Sequence, residues 1–289
     1  MRRILVTGGF GQLGQAIYAR AGDSSNRYII ATQAELDIRD YASIEKWIIN
    51  DEIDTIINCA AYTDVEGAEE HPDAAYAINS DALHTLTSVC QAHNVKLIHI
   101  STDYVFGGDN QRATPYSEDD ATAPINTYGR SKAAGEEAVI QLCDGVVIRT
   151  SWLYAPWGKN FVLTMLRLAA QRSEICVVDD QRGTPTSALG LADMLVTLID
   201  SGEVDTMAGI YHYTDDGDCT WCDFARAIMS LAGSDCHITP CSSRERGMKA
   251  ERPTYSVLDK SRIRAIRGVN IIHWRERLKD VMNIIDRSL

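Results

Sequence analysis

A tyrosine and a lysine, Tyr128 and Lys132, lie four residues apart at the start of a predicted helix. Side chains at this spacing share one face of a helix, so the two groups point the same way. A lysine ammonium beside a phenol stabilises the tyrosinate and lowers the pKa of the hydroxyl from its usual value of about 10. The pair is therefore suited to giving a proton to an oxygen atom, as the reduction of a ketone requires.

Two hydroxyl residues, Ser101 and Thr102, end an apolar run earlier in the chain. In doubly wound sheets the strands deliver their last residues to the carboxyl edge, where ligands bind. Thr102 is then placed to donate a hydrogen bond to a substrate oxygen on which negative charge develops. We interpret Thr102, Tyr128 and Lys132 together as a proton-donating catalytic site.

Three glycines, Gly8, Gly11 and Gly14, follow the first predicted strand and open the first predicted helix. In a dinucleotide-binding turn they allow, in this order, a tight turn, close approach of a pyrophosphate and close packing of helix on sheet. The phosphates lie at the positive end of that helix. A plain strand-to-helix turn is the alternative, but the flanking elements favour a dinucleotide, and the G-x-x-G-x-x-G spacing indicates the short-chain reductase branch.

The end of the second predicted strand bears on the choice of cofactor. Thr32 and Gln33 stand near the position where an acidic residue holds the ribose hydroxyls of NAD. The sequence shows no carboxylate there to repel a 2′-phosphate and no basic residue to attract it. NADPH and NADH are therefore both left open, with a preference for NADPH or dual use. Ala60 and Ala61, after the third strand, leave room for a cofactor, although plain packing also produces such a pair.

These residues need a frame of alternating strands and helices to position them. Short apolar runs rich in Val and Ile occupy residues 2–8, 27–32, 54–61, 95–102 and 145–152. Segments with helical spacing lie between them, at residues 14–22, 43–51 and 81–94. Repeated strand, helix, strand order predicts a doubly wound, Rossmann-like α/β fold with a parallel sheet, because each right-handed crossover returns the chain to the same edge.

After residue 150 this alternation loosens. A loop rich in Trp, Pro and Gly at residues 152–160 precedes a predicted helix at 160–171, a strand at 174–180 and a helix near 187–199. We predict a dinucleotide-binding domain at residues 1–150, with later helices near 187–200 packing on it. Residues 151–289 are predicted to form a smaller, interleaved domain that mainly binds substrate.

The composition excludes several classes of partner. The 289 residues carry 28 Lys and Arg against 40 Asp and Glu, a net charge of −12, and 45% of them are hydrophobic. This content supports a real core, and the absence of a basic cluster indicates that nucleic acid is not a partner. The apolar run at residues 4–6 is too short for a signal peptide or a membrane span. We expect a cytoplasmic protein with no membrane partner.

The eight cysteines are spread along the chain, and we interpret them mostly as free thiols in a reducing compartment. Cys219 and Cys222 form a C-x-x-C that could be redox-active, or half of a zinc site with Cys236 and Cys241. The irregular spacing favours two plain thiols at a helix start. No histidine has metal-ligand spacing, and His99 is interpreted as a hydrogen-bonded core residue. No metal site is predicted.

At these motifs the chain resembles the extended short-chain dehydrogenase/reductase family. Within that family it is similar to the dTDP-4-dehydrorhamnose reductases through the segments GQLG, NCAAYTDVEGAE, STDYVF, YGRSKAAGE, RTSWLY, NFVLTMLRLA, DDQRGTPT and ERPTYSVLD. The resemblance runs from residue 1 to about residue 274. Its most specific parts are Asp-Gln-x-Gly-x-Pro-Thr and Arg-Pro-x-Tyr-Ser-x-Leu-Asp.

The resemblance implies reduction of the 4-keto group of dTDP-4-dehydro-L-rhamnose by NADPH or NADH. Tyr128 is then the proton donor, and Lys132 also holds the nicotinamide ribose. The residues implied for the cofactor are Gly8, Gly11, Gln12, Leu13, Gly14, Asp37, Ile38, Ala60, Ala61, Tyr62, Tyr128 and Lys132. Those implied for the sugar nucleotide are Thr102, Tyr104, Trp152, Asn160, Arg182 and Arg252.

Some members of the family are dimers bridged by a metal on a carboxylate of the first helix. Gln15 and Ala16 supply no carboxylate here, so neither that metal nor that dimer is expected, and a homodimer of another kind is left open. Two other functions are also left open. One is a non-catalytic dinucleotide-binding subunit that regulates a partner enzyme, and the other is a reductase that gives another 6-deoxyhexose epimer. The intact Thr102, Tyr128 and Lys132 favour an enzyme.

Overall fold

A computed structural model describes residues 1–288, and a six-stranded sheet lies at its centre. Every neighbouring pair of strands in this sheet is parallel. The strands of the sheet and of the smaller pairs around it are β1 (Arg3–Thr7), β2 (Arg27–Ile30), β3 (Thr55–Asn58), β4 (Lys96–Thr102), β5 (Val146–Thr150), β6 (Leu153–Tyr154), β7 (Glu174–Val178), β8 (Arg182–Gly183), β9 (Thr186–Ser187), β10 (Gly209–His212), β11 (Cys219–Thr220) and β12 (His237–Cys241).

Helices cover both faces of this sheet and build the remainder of the molecule. They are α1 (Gln12–Ala21), α2 (Tyr41–Asp51), α3 (Val65–Glu70), α4 (Pro72–Tyr76), α5 (Ala82–His93), α6 (Thr127–Ile140), α7 (Phe161–Ala169), α8 (Ala188–Ser201), α9 (Trp221–Leu231), α10 (Ser243–Arg246), α11 (Ser261–Arg264) and α12 (Trp274–Ser288). The five strands and three helices predicted before residue 150, and the helices and strand predicted between 160 and 199, are confirmed.

The order of the central sheet is β10-β5-β4-β3-β1-β2. From β1 the chain crosses to β2 on one side and then to β3 on the other, so the crossovers diverge between β1 and β3. Ligands of open parallel sheets bind in the crevice outside the carboxyl ends of the strands at such a point. The doubly wound, Rossmann-like fold is confirmed, and it places the glycine turn after β1 beside this crevice.

The two faces of the sheet carry separate apolar layers because side chains alternate along each strand. Ile4 and Val6 of β1 pack with α1 and α8, whereas Leu5 packs with α2, α5 and α6. Both layers are continuous with the buried residues of neighbouring strands. Such near-continuous apolar strands are typical of a parallel sheet covered on both faces.

The second half of the chain contributes to both parts of the molecule. Strand β10 joins the edge of the central sheet beside β5, and α8 packs against α1. Helices α7, α9 and α12 instead pack with the parallel pair β7 and β12 in a separate apolar cluster that contains Phe224 and Trp274. Strand β10 was not predicted, because its four residues are only half apolar and follow a short 3₁₀ turn.

One pair of cysteines departs from the prediction of free thiols. Cys176 on β7 and Cys241 on β12 form a disulfide, with Cα atoms 6.1 Å apart. The two cysteines lie diagonally across the parallel pair, because the register partner of Cys176 is Thr239 and that of Cys241 is Val178, and the sequence does not reveal this pairing. The six other cysteines are free. Among residues 1–288, no helix is both long and apolar enough to cross a membrane.

Candidate active site

A cavity of about 840 Å³ opens at the carboxyl ends of β1, β3 and β4. Every residue predicted for catalysis or for the cofactor lines it: Gly8, Gly11, Gln12, Leu13, Gly14, Asp37, Ile38, Ala60, Ala61, Tyr62, Thr102, Tyr128 and Lys132. Of the residues predicted for the substrate, Thr102, Tyr104 and Trp152 line the cavity, whereas Asn160, Arg182 and Arg252 lie outside its lining. The structure thus brings together the residues predicted for catalysis and for the cofactor, whereas only some of the residues predicted for the substrate line the same cavity.

The glycine turn has the shape that a pyrophosphate requires. Gly8 has a φ of 68°, and a Cβ on it would stand 2.7 Å from the backbone nitrogen of Ala60. Gly11 precedes α1 as its N-cap and brings no capping side chain, so the first N–H groups of the helix remain available to a ligand. A Cβ on Gly14 would meet the Gly8 carbonyl oxygen at 2.7 Å, which explains the close packing of α1. These features fit a dinucleotide.

The end of β2 differs in one respect from the sequence interpretation. The chain folds back after β2, and the carboxylate of Glu35 accepts hydrogen bonds from the backbone and hydroxyl of Thr32, at 2.9 and 2.8 Å. A carboxylate therefore does stand beside Thr32, which the local spacing did not reveal. Asp37, on the cavity wall, pairs with the Arg39 guanidinium at 2.7 Å, and this partner lowers the pKa of Asp37.

Helix α6 starts at the cavity because of an N-cap and a glycine. Asn126 Oδ1 accepts a hydrogen bond from the Gly129 backbone at 2.7 Å, which satisfies a free N–H of the first turn. A Cβ on Gly129 would lie 2.1 Å from the Tyr104 carbonyl oxygen, so only glycine lets the helix approach the turn after β4. Tyr128 lies in the first turn of α6, with its ring edge-on to that of Tyr104 at a centroid distance of 5.8 Å.

The Tyr128 hydroxyl is held in its protonated form. Burial raises its pKa well above the usual range, and a hydrogen bond with Thr102 opposes this shift without reversing it. The expectation that Lys132 lowers the pKa of this hydroxyl is therefore wrong for the free protein. Thr102 also accepts a hydrogen bond from the Tyr104 backbone at 3.2 Å. The predicted pair of Thr102 and Tyr128 is therefore assembled, with a phenol that carries a proton at neutral pH.

Lys132 lies one turn further along α6, and it is fully buried. Its Nζ donates to the carbonyl oxygen of Ile100 at 2.7 Å and lies 2.9 Å from Nε2 of His99. Burial lowers the pKa of Lys132 to about 8, while the nearby charge of Glu136 acts in the opposite direction. The lysine thus stays charged at neutral pH, and it lines the same cavity as Tyr128.

Asp103 is a site residue that the sequence analysis missed. It lines the cavity next to Thr102, which donates to its Oδ1 at 3.2 Å, and it accepts a hydrogen bond from the Ser256 hydroxyl at 2.5 Å. Burial raises its pKa to about 7. Asp103 joins the STDYVF segment to the ERPTYSVLD segment, and no local sequence pattern indicates this contact.

The far end of the cavity is built from aromatic rings. Trp152 stacks on Trp221 at a centroid distance of 3.6 Å and an angle of 10°, and both line the cavity. Trp152 has a φ of 45°, which is unusual for a bulky residue. A Cβ on Gly183 would stand 2.7 Å from Cε2 of Trp152, so this glycine of the DQRGTPT segment lies flat on the indole ring. Trp221 was not predicted as a site residue.

Asn160 lies behind the cavity wall and holds it in place. Its side-chain amide donates to the backbone of Ala155 at 2.9 Å and to Oε1 of Gln12 at 3.0 Å. Its Oδ1 accepts from the Leu163 backbone and so caps α7. Asn160 thus ties the glycine turn to the loop at residues 152–160.

The two arginines predicted for the sugar nucleotide both have acidic partners. Arg182 pairs with Asp218 at 2.5 Å, and Arg252 pairs with Glu66 at 3.1 Å. Arg252 also interacts with the hydroxyl of Tyr104, which lines the cavity. Its buried Nε has no hydrogen-bond partner within residues 1–288. Arg252 therefore reaches the edge of the cavity through Tyr104.

No group of three potential metal ligands occurs in the described part of the chain. Cys219 and Cys222 are buried free thiols, as is Cys236, whereas Cys241 is bonded to Cys176. The zinc site considered for the C-x-x-C therefore lacks one of its four thiols.

The fold and the cavity define a Rossmann-type protein with a dinucleotide-binding turn. A family model described as "RmlD substrate binding domain" matches residues 1–287, and the chain belongs to this family. A dTDP-4-keto-6-deoxy-D-glucose reductase of Streptomyces niveus is 38% identical over 98% of both chains. A dTDP-4-dehydrorhamnose reductase of Mycolicibacterium smegmatis is 39% identical, covering 97% of this chain and 85% of the relative.

Solved structures agree with these similarities. A dTDP-4-dehydrorhamnose reductase from Bacillus anthracis, in complex with NADP, superposes with a TM-score of 0.91 at 36% identity. The match covers 98% of this chain and 100% of the other. The resemblance to this reductase family is confirmed.

Proposed function

We propose that this protein is an NADPH- or NADH-dependent reductase of the 4-keto group of dTDP-4-dehydro-L-rhamnose, giving dTDP-L-rhamnose. The observation that carries the proposal is that Tyr128 and Lys132 line the same cavity as the glycine turn. A proton donor and a dinucleotide site in one cavity are the two components that ketone reduction needs.

The bound nicotinamide supplies the hydride for the keto carbon. Tyr128 gives its proton to the substrate oxygen, since burial keeps the hydroxyl protonated until that oxygen becomes basic. The Thr102 hydroxyl, which donates to Asp103 Oδ1 in the free protein, turns to donate its hydrogen bond to the same substrate oxygen as charge develops there. Lys132 places a positive charge on the cavity wall and holds the nicotinamide ribose.

The two parts of the chain divide the ligands between them. Residues 1–150, with α8 packed on them, hold the dinucleotide. The residues in contact with it are Gly8, Gly11, Gln12, Leu13, Gly14, Asp37, Ile38, Ala60, Ala61, Tyr62, Tyr128 and Lys132. Residues 151–289 mainly hold the sugar nucleotide, whose chemistry also involves Thr102 and Tyr104 from the first part.

On the substrate side, Trp152 forms an apolar wall, and Arg252 is the first choice for the diphosphate. The unpartnered Nε of Arg252 and its link to Tyr104 support this role, because a guanidinium binds phosphate through two parallel hydrogen bonds. Arg182 is the second choice. Asn160 acts by holding Gln12 and the loop at 152–160 in position, since its amide is already bonded to both.

The test is a reductase assay of the purified protein with dTDP-4-dehydro-L-rhamnose and each cofactor in turn. Oxidation of the nicotinamide is followed by absorbance, and the product is identified by NMR. We expect turnover with at least one cofactor and a product with the configuration of dTDP-L-rhamnose. Cofactor binding without turnover of any dTDP-4-keto sugar would instead support the non-catalytic regulatory subunit.

A second candidate is a reductase that gives another 6-deoxyhexose epimer. The relative from Streptomyces niveus, a dTDP-4-keto-6-deoxy-D-glucose reductase, supports it through 38% identity over nearly the whole of both chains. Both candidates use the same proton donor and differ in which face of the sugar ring meets the cofactor. The assay therefore includes dTDP-4-keto-6-deoxy-D-glucose, and a higher kcat/KM with that sugar would favour the second candidate.

A further inference from the structure

A row of polar side chains crosses three strands beneath the cavity. Thr7 on β1, Asn58 on β3 and His99 on β4 are register partners on neighbouring strands. Their side chains lie within hydrogen-bond distance of one another: Thr7 Oγ1 is 2.5 Å from one end of the Asn58 amide, and the other end is 3.0 Å from His99 Nδ1. Lys132 ends the row at 2.9 Å from His99 Nε2, and all four residues are at most 1% exposed.

The charge of Lys132 decides how the protons in this row are arranged. An ammonium has only donors, so His99 Nε2 must accept from it and the ring proton must lie on Nδ1. Nδ1–H then needs an acceptor, which Asn58 supplies when its amide oxygen faces the ring and its nitrogen faces Thr7. The opposite orientation, with Oδ1 toward Thr7 and the nitrogen toward the ring, is the one in the structure, and a half-turn of the amide interconverts the two. It leaves the ring proton on Nε2 and so requires a neutral Lys132 amine, which a pKa of about 8 disfavours at neutral pH.

The other titratable groups around Lys132 do not replace His99 as a partner. Glu136, on the same helix, is ion-paired with Arg149 at 2.7 Å. Burial raises the pKa of the Cys59 thiol to about 12, which keeps it neutral. Burial, followed by the charge of Lys132, holds the pKa of His99 well below its usual range, so the ring is a neutral acceptor.

Counting donors shows what His99 contributes. Lys132 has three N–H donors, and its two bonded partners are the Ile100 carbonyl oxygen and the His99 ring. Two fixed acceptors set the direction of the amine and leave the third donor for the cavity that Lys132 lines. A hydrogen bond that stabilises the charged form of a group raises its pKa, in opposition to the effect of burial.

We propose that His99 is a positioning residue for the reductase site, which keeps Lys132 charged and oriented through a tautomer that Asn58 and Thr7 fix. This inference rests on the proposed function, because it assigns to Lys132 a role in the reaction. It gives His99 a task beyond that of a hydrogen-bonded core residue, although its burial and two bonded ring nitrogens confirm that interpretation as well.

Two substitutions of His99 separate this role from packing. In His99→Gln the longer amide places an acceptor near the position of Nε2, within reach of Lys132. In His99→Asn the shorter amide reaches only the position of Nδ1, so it keeps a partner for Asn58 and loses Lys132. Both variants are polar and smaller than histidine, so a loss of packing affects both, whereas only the Asn variant removes the acceptor of Lys132.

The first readout is the titration of Lys132 in the cofactor-free protein, followed by NMR of lysines labelled at Cε. Loss of a charge-assisted bond is expected to lower the pKa of Lys132 by about one pH unit in His99→Asn. The wild-type value is expected to be kept in His99→Gln. Lys132→Arg identifies the signal. This readout needs no turnover, so it tests the inference even if the protein does not reduce a sugar nucleotide.

The second readout is the pH profile of kcat/KM for reduction. The alkaline limb is expected to move to lower pH in His99→Asn, so that the ratio of kcat/KM at pH 9 to that at pH 6.5 falls about tenfold relative to wild type. A purely structural defect lowers activity equally at both pH values. An unchanged Lys132 titration in His99→Asn, or equal shifts in the Asn and Gln variants, would overturn the proposal.

If His99→Asn does not fold, Asn58→Leu provides the same comparison with the histidine intact. The tautomer of His99 is then no longer fixed, and the pKa of Lys132 is expected to fall in the same direction. An unchanged value in folded Asn58→Leu would contradict the role of the row.

Discussion

The two ends of the cavity are built in different ways. The cofactor end consists of turns that leave the carboxyl ends of adjacent parallel strands. Of the two residues proposed for catalysis there, Lys132 is buried and bonded, and Tyr128 is half-buried. The substrate end consists of loops and short strands from distant parts of the chain. The two arginines proposed for the sugar nucleotide, Arg252 and Arg182, lie outside the cavity lining in partly exposed ion pairs with Glu66 and Asp218.

The two ends therefore differ in preorganisation, that is, in how far their groups are held in position before a ligand binds. At the cofactor end, the sheet fixes each group before a ligand arrives, as the Gly8 turn against Ala60 illustrates. At the substrate end, the role proposed for Arg252 requires it to exchange its ion pair with Glu66 for a phosphate, so part of the new interaction would only replace an old one. Substitutions at the first end should therefore have larger effects than substitutions at the second.

The largest effect is expected at the proton donor. Tyr128→Phe keeps the ring against Tyr104 and removes the hydroxyl, so kcat should fall by about 10² or more, while cofactor affinity stays within a few fold. The measurements are steady-state reduction and a fluorescence titration with NADPH. Turnover close to that of wild type would show that the proton comes from another group.

The next effect is expected at the glycine turn. Gly11→Val sets a branched side chain at the N-cap of α1, where a pyrophosphate must approach, and the affinity for the dinucleotide should fall by about 10² or more. Circular dichroism should show a folded protein, since Gly11 is exposed and only the Gly8 carbonyl oxygen lies near the added Cβ, at 3.1 Å. An unchanged titration would place the phosphates elsewhere.

The substrate end should respond more weakly. Arg252→Ala is expected to raise the KM for the sugar nucleotide about tenfold and to leave cofactor affinity nearly unchanged, because the charge-assisted bond to phosphate is partly offset by release from Glu66. Arg182→Ala is the matched control and should change KM less. A larger rise in KM for Arg182→Ala would move the diphosphate toward the DQRGTPT segment.

The smallest effect concerns the boundary between the two ends, where Asp103 bonds Ser256. Its pKa of about 7 in the folded protein lies above that of an unfolded aspartate, so its contribution to stability is lost as pH rises toward and through 7. The substitution Asp103→Asn removes this pH-dependent contribution to the free energy of unfolding. Between pH 6 and pH 8, wild type should lose about 1 kcal/mol more unfolding free energy than the variant.

Urea unfolding at the two pH values measures that difference. Asp215 has a similarly raised pKa of about 7, but it is present in both proteins and cancels in the comparison. Equal losses in wild type and variant would show that Asp103 does not titrate in this range.

The sequence predicts the cofactor end well because strand and helix periodicity fixes which residues reach one edge of a sheet. The five first strands and the glycine turn follow from such local patterns. Long-range pairings do not: the partners of Arg252 and Arg182, the bond between Cys176 and Cys241 and the fold-back of Glu35 onto Thr32 depend on how loops pack. The substrate end was predicted mainly through resemblance.

Successive side chains of strand β4 point to opposite faces of the sheet, so this strand contributes to the layers on both faces. His99 and Ser101 point toward α6, whereas Ile98 and Ile100 pack on the side of α1 and α8. Inserting one residue within this strand would exchange the two sets, bringing an aliphatic chain to Lys132 and an imidazole into the apolar layer. The spacing from the start of β4 to Thr102 therefore allows no change of a single residue.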